Sequence, residues 1–303
     1  MDWMVMNFKG RFRSFSERLR DKAKATVELP FPHLKPCAIG IGAQKAGTTA
    51  LYEYLALHPN VAPSKIKEID FFNCDSRYAR GIKFYHSHFP GRTPRNLERV
   101  TFDITPGYLG GASKAAQRIY DYNPNVKLIA LLRNPITRAH SAWQMYQRNY
   151  QKNPSWFFEW VQRCDKTLKP GSFIQRPPSF GKDFSEDIAN EIAIVEKGQS
   201  IEMPILLLGA YNELLSYYLN LFPRQQILVL SSEEMREDTL GHLRRIEKFV
   251  GLPPHSWRAD ETKPRFTGKY EESIPRKAYA LMDTFYRDRN RALFSTLRTE
   301  FPW

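Results

Sequence analysis

Four short apolar runs punctuate the chain, at residues 37–42, 100–104, 127–132 and 226–230. The run at 127–132 is continuous rather than alternating, the pattern of a parallel strand buried on both faces. Helical spacing follows most of these runs. Leu51, Tyr54, Leu55 and His58 share one face of a helix that Pro59 ends. A second helix is predicted near 113–122. A third has Asn134 as its cap and Pro135 at its first position, and runs to about 150. A fourth spans about 240–250. Strands alternating with helices predict an α/β fold around a parallel sheet.

The remainder divides the chain. Pro30, Pro32 and Pro36 set off residues 1–36 as a basic helical extension, with a solvated helix over 7–24. Residues 37–303 read as one domain. Within it, the stretch 151–190 is rich in aromatics and proline, including Trp156, Phe157, Phe158, Trp160, Pro177 and Pro178. Such an insertion serves either as a lid over an acceptor or as a small satellite core.

Composition adds a constraint on partners. The chain has 303 residues, 42% of them hydrophobic, and a formal net charge of +13, so it is globular and suited to anionic partners. It contains no Lys/Arg block and no nucleic-acid motif, and nucleic acid is therefore not expected. Cys37, Cys74 and Cys164 are too scattered for a disulfide framework, which predicts free thiols in a reducing compartment. Residues 1–29 hold neither a signal core nor a membrane-spanning run, and a soluble cytoplasmic protein is expected. No His, Cys, Asp and Glu grouping has metal-ligand spacing, so no metal is expected.

Three constellations carry chemistry. First, strand 37–42 runs into a turn bounded by Gly42 and Gly47, which opens a helix. That arrangement aims backbone amides of residues 46–50 and a helix N-terminus at one point, an anion site. In a nucleoside-triphosphate loop a lysine follows the second glycine. Here Thr48 stands in that place and Lys45 lies inside the loop. Second, Arg133 leaves the end of a buried strand and Ser141 follows eight residues later, so both can meet a second phosphate at the carboxyl edge of the sheet. Third, Lys65, Lys67, Glu68 and Asp70 precede the pair Phe71–Phe72, which would anchor the segment and hold Glu68 at a pocket mouth. Among the histidines, His58 reads as a helix-end cap and His140 as packing, whereas His86 and His88 are candidates for an acceptor mouth.

Together these motifs resemble the sulfotransferase family that uses 3′-phosphoadenosine 5′-phosphosulfate (PAPS), most closely its heparan-sulfate and bacterial branch. Residues 44–51 match the family's 5′-phosphosulfate loop, and 133–141 match its 3′-phosphate motif. Glu68, three residues before Phe71–Phe72, matches the branch's catalytic base. Residues 102–108 are similar to an acceptor-side segment, and 209–211 with 226–234 to the later core. The family's C-terminal loop is met by the tract from Arg265 to Lys269. Ile104 departs from the lysine often found in heparan-modifying members.

The resemblance implies a P-loop-like, three-layer α/β fold with a central parallel sheet flanked by helices. It implies PAPS as donor and adenosine 3′,5′-bisphosphate (PAP) as product. Glu68 and Lys45 would be catalytic. Lys45, Ala46, Gly47, Thr48, Thr49, Ala50, Arg133, Ser141, Tyr211 and Lys269 would hold the nucleotide. Lys67, Asp103, Thr105, Tyr108 and His88 would meet a small-molecule or carbohydrate acceptor. Two other readings compete: a P-loop kinase or NTPase, which would need a lysine at position 48 and a strand-end aspartate for Mg²⁺, and a non-catalytic module that binds polyanions.

Overall fold

The computed structural model describes residues 33–96, 98–164, 173–263, 265 and 273–303. The N-terminal extension therefore lies outside the described residues, as does Lys269.

Strands β1 (Pro36–Gly42), β2 (Thr101–Ile104), β3 (Lys127–Leu132) and β4 (Ile227–Ser231) form a single parallel sheet in the order β2-β1-β3-β4. Ile39, Ile41, Phe102, Ile104, Ile129, Leu131 and Leu230 are all buried. Each such side chain contributes on the order of 1.5–3 kcal/mol through burial. This explains why short strands with few charges hold the centre of the molecule.

The order has a functional consequence. From β1 the chain moves to β2 on one side, then returns to β3 on the other. The carboxyl ends of β1 and β3 thus flank the point where the winding reverses, and a crevice opens there.

Helix α1 (Thr48–Leu57) leaves the loop after β1. Short helices α2 (Asp75–Tyr78) and α3 (Gly81–His86) precede β2, and α4 (Gly107–Gly110) and α5 (Ala112–Tyr122) follow it. Helix α6 (Pro135–Lys152) starts directly after β3. The Asn134 side chain caps it by accepting from the amides of Ile136 and Thr137 at 2.9 and 3.3 Å, with Pro135 in the first turn. Helices α7 (Trp156–Cys164) and α8 (Phe184–Glu196) lie in the aromatic-rich insertion. Helix α9 (Tyr211–Leu219) precedes β4, and α10 (Ser232–Glu237), α11 (Thr239–Val250) and α12 (Arg276–Leu297) complete the chain.

Aromatic residues of the insertion form the anticipated satellite core. Phe180 and Phe184 join Trp143, Tyr146, Ile188, Leu206, Met282 and Tyr286 in a second apolar cluster beside the sheet's own core. Trp156 packs on that cluster and also lines the crevice, and Trp160 lines the crevice. Beneath them a buried ion pair, Arg176 to Glu191 at 2.7 Å, ties the insertion together. Glu191 also accepts from the amides of Ile205 and Leu206 at 2.8 and 2.6 Å, which offsets the cost of burying its charge.

Candidate active site

The crevice at the sheet's carboxyl edge is a cleft of about 850 Å³. One end is built by the loop from Ala43 to Gly47. The Ala43 amide donates to the Leu131 carbonyl at 2.7 Å, so the ladder between β1 and β3 continues into the loop. Gly47 then turns with φ +94°, a conformation that a side chain strains, and becomes the N-cap of α1 without contributing a side-chain cap. The first-turn amides of α1 therefore face the cleft with Thr48 and Thr49, where an anion would complete them.

Arg133 closes this end from the other strand. It is 6% exposed; its Nη1 donates to the Lys45 carbonyl at 3.1 Å and its Nε to Thr137 Oγ1 at 3.0 Å. Ser141, two turns along α6, lines the same wall. Lys45 itself has φ +68°, and its Nζ lies 3.8 Å from the Met145 sulfur on α6. Gln44 accepts from the buried Tyr146 hydroxyl at 2.9 Å. The loop is thus held by β3 and α6, and Lys45 and Arg133 line the same cleft.

The other end of the cleft is formed by the segment before α2. Glu68 lines it, with its side chain about half exposed and its carboxylate accepting from Lys67. Asp70, 8% exposed, lines it as well. Burial pushes the Asp70 carboxyl up to about 6, against the pull of Asn73 and Arg77. Asn73 Nδ2 donates to Asp70 Oδ1 at 3.1 Å. Gly107 permits this pairing, since a Cβ there would come within 2.7 Å of the Asn73 amide. Phe71 and Phe72 are buried and hold the segment by ring contacts with Tyr85 and Tyr108.

Several residues assigned to the site from sequence lie elsewhere. Asp103, Thr105 and Tyr108 are fully buried and do not line the cleft. Asp103 accepts from Thr105 at 2.6 Å, Tyr108 at 2.7 Å and Tyr85 at 3.0 Å. Thr105 and Tyr108 in turn accept from the amides of Ile69 and Phe71 at 3.0 and 3.2 Å. This network supports the Glu68 segment from below and has no surface on which to meet an acceptor. Burial pushes the Asp103 carboxyl up to about 6, partly offset by its three hydrogen bonds.

Tyr211 also supports rather than lines. It is buried, and its hydroxyl donates to the Arg133 carbonyl at 2.8 Å. His88 turns away from the cleft, with Nδ1 2.8 Å from the Phe84 carbonyl. Lys67 reaches the site only through Glu68. His58 is buried between the Pro253 carbonyl and the Asn60 amide.

Conversely, the cleft includes Asp70, Arg148, Trp160, Arg236 and Arg265, which the motifs did not single out as ligands. Arg236 reaches Ser232 Oγ at 3.1 Å and Arg265 reaches Glu53 at 3.5 Å. Arg265 had a visible signal, since it opens the tract in which Lys269 was chosen.

A parallel sheet with a glycine-bounded loop and a helix N-terminus at its switch point defines an α/β protein of the P-loop-like type. Residues 38–281 match the sulfotransferase domain family. The chain belongs to that family and is a sulfotransferase enzyme.

Mouse (Mus musculus) heparan sulfate glucosamine 3-O-sulfotransferase 5 is 30% identical over 219 residues, covering 72% of this chain and 54% of that protein. The match thus spans about half the length of that relative. Mouse heparan sulfate glucosamine 3-O-sulfotransferase 6 is 27% identical over 310 residues, covering 95% of this chain and 79% of the relative. The crystal structure of a sulfotransferase from Alicyclobacillus acidocaldarius shares the fold, with a TM-score of 0.62 at 23% identity over 88% of this chain and 97% of that one. Among the described residues, no helix is long and apolar enough to cross a membrane.

Proposed function

We propose that this sulfotransferase moves the sulfuryl group of PAPS to a hydroxyl or amine of a carbohydrate or small-metabolite acceptor, with Glu68 as general base. The observation that carries this reading is the single cleft that gathers the loop at 43–50, Arg133 and Ser141 at one end and Glu68 at the other. A donor with a phosphate at each end of a nucleoside fits a site with two cationic anchors. The loop amides and Thr48 suit the 5′ end, and Arg133 with Ser141 suits the 3′ end. Arg236 and Arg265 add positive charge to the same cleft.

The roles follow from charge. As a sulfuryl group leaves, negative charge grows on the phosphate oxygen left behind. Lys45, fixed inside the loop, neutralises it, an electrostatic contribution of about 3–4 kcal/mol. Glu68 takes the proton of the attacking hydroxyl or amine, typically worth about 10²–10⁴-fold. A carbohydrate acceptor is supported by the names of the relatives. It is also supported by Trp156 and Trp160, whose placement on the cleft offers a wall for a sugar ring or a flat metabolite.

A transfer assay that reads a mass gain of one sulfuryl group on the acceptor tests this. Glu68→Gln should lower turnover by about 10²–10⁴-fold. A second reading gives the proton to Asp70, because that carboxyl lines the cleft and burial brings it to about 6, close to neutral pH. Under that reading Glu68→Gln keeps near-normal turnover, and kcat/KM rises through about pH 6 until Asp70→Asn removes the step.

A further inference from the structure

Two of the three cysteines, distant in sequence, meet beside the cleft. Cys74 ends the segment that carries Glu68 and is the N-cap residue of α2; it is 1% exposed. Cys164 is the last residue of α7, half-buried, and lines the cleft. Cys74 packs against the carbonyl of Arg163, the residue before Cys164, which brings the two thiols to one junction. The Cys74 sulfur also lies 3.3 Å from Ser76 Oγ and 3.7 Å from the Arg163 carbonyl. The Ser76 hydroxyl donates to that same carbonyl. The contact is therefore a built junction between α2 and the end of α7. Cys37 lies apart, in β1, where burial pushes its thiol up to about 11.

We propose that Cys74 and Cys164 form a reversible disulfide that fastens the end of α7 to the Glu68 segment. The chemistry needs one oxidant, a low-molecular-weight disulfide such as glutathione disulfide. The Cys164 thiol, on the cleft side, attacks that disulfide as its proton passes to the neighbouring Cys74 thiolate and then to solvent, and one glutathione is released. The Cys74 sulfur, as thiolate, then attacks the Cys164 sulfur of the mixed disulfide and expels the second. Two protein thiols lose two electrons and two protons, and glutathione disulfide becomes two glutathione thiols. A hydrogen bond from the Cys164 thiol, with the Arg77 amide and charge, pulls the Cys74 thiol down against its burial, which favours the second step.

The consequence is mechanical. Helix α7 carries Trp156 and Trp160 on the cleft wall. Cross-linking its last residue to the segment bearing Glu68 fixes that wall relative to the base. It also closes a long loop, which restricts the unfolded chain.

The test uses the full chain equilibrated in glutathione redox buffers, quenched with acid, alkylated and mapped by peptide mass. With glutathione disulfide in excess, the intact mass should fall by two hydrogens, with one peptide pair joined through Cys74 and Cys164 and Cys37 alkylated. Dithiothreitol should reverse this. The oxidised protein should unfold at a higher temperature than the reduced one, and Cys74→Ser should remove that difference. Mapping on the unmutated chain stands by itself if the variant fails to fold. The proposal is overturned if both thiols remain alkylatable in excess glutathione disulfide, or if Cys164 carries only a glutathione adduct.

Discussion

The two ends of the cleft are built on different principles. At the end proposed for the donor, the groups that face the cleft are backbone amides at a helix N-terminus, plus Arg133 and Ser141 on regular elements. Their positions follow from the sheet, since the β1–β3 ladder and the Asn134 cap fix both strand ends. At the acceptor end the carboxylates ride on irregular backbone. Glu68 and Asp70 both have positive φ, +63° and +50°, and such non-glycine residues cost on the order of 1–3 kcal/mol each. That cost is borne by the buried Asp103, Thr105 and Tyr108 network and by the Phe71–Phe72 anchor. In the loop at the first end, Lys45 alone among non-glycine residues shares that strain, at φ +68°, and the Arg133 guanidinium holds its carbonyl; at the other end both carboxylates are held against their backbone preference.

The largest effect that sharpens this contrast lies at the donor end. Lys45→Ala should slow transfer by about 10²–10³-fold, the equivalent of losing roughly 3–4 kcal/mol of charge stabilisation. Affinity for PAP, measured by calorimetry, should change far less. An unchanged rate would remove the leaving-group role.

Asp103→Ala should act at the acceptor end through stability. It leaves the hydroxyls of Thr105, Tyr108 and Tyr85 without their shared acceptor, a loss of about 3 kcal/mol. Denaturant unfolding measures this, and turnover should fall with PAP affinity preserved. A collapse of PAP binding instead would join the two ends into one unit.

A smaller effect has a definite pH sign. Burial raises the folded-state Asp70 carboxyl to about 6, above its ordinary value of 3.8. The favourable protonated state is fully present below the unfolded value and is lost as pH rises through about 6. Asp70→Asn should therefore gain about 2–3 kcal/mol relative to the unmutated chain between pH 4 and pH 7.5. Parallel denaturation curves at both pH values check it. A constant difference would mean that Asp70 is not buried as described.

The contrast also explains what was legible in the sequence. The strands were, because a strand buried on both faces writes its apolar run directly; residues 127–132 coincide with β3. The donor loop, Arg133 and Ser141 were legible because local spacing alone brings them to the sheet edge. Helix α12, with its apolar positions widely spaced among charges, carried no such run and went unread. The acceptor end depended on contacts far apart in sequence. Asp103, Thr105 and Tyr108 were read as acceptor contacts, whereas Tyr85 and the amides of Ile69 and Phe71 satisfy them in the interior. Tyr211 was read as a nucleotide ligand, whereas its hydroxyl serves the Arg133 carbonyl behind the cleft. Asp70 sat two residues from Glu68, yet only its burial against Gly107 and Asn73 distinguishes it from a solvated charge.

The most direct measurement of the central claim is calorimetry of PAP with the unmutated chain and with Glu68→Gln, side by side in the presence of EDTA. The account predicts that both bind PAP without a divalent cation and with equal affinity, while only the unmutated chain turns over. Absence of PAP binding by the unmutated chain, or its loss in Glu68→Gln, would contradict a donor end built independently of the base.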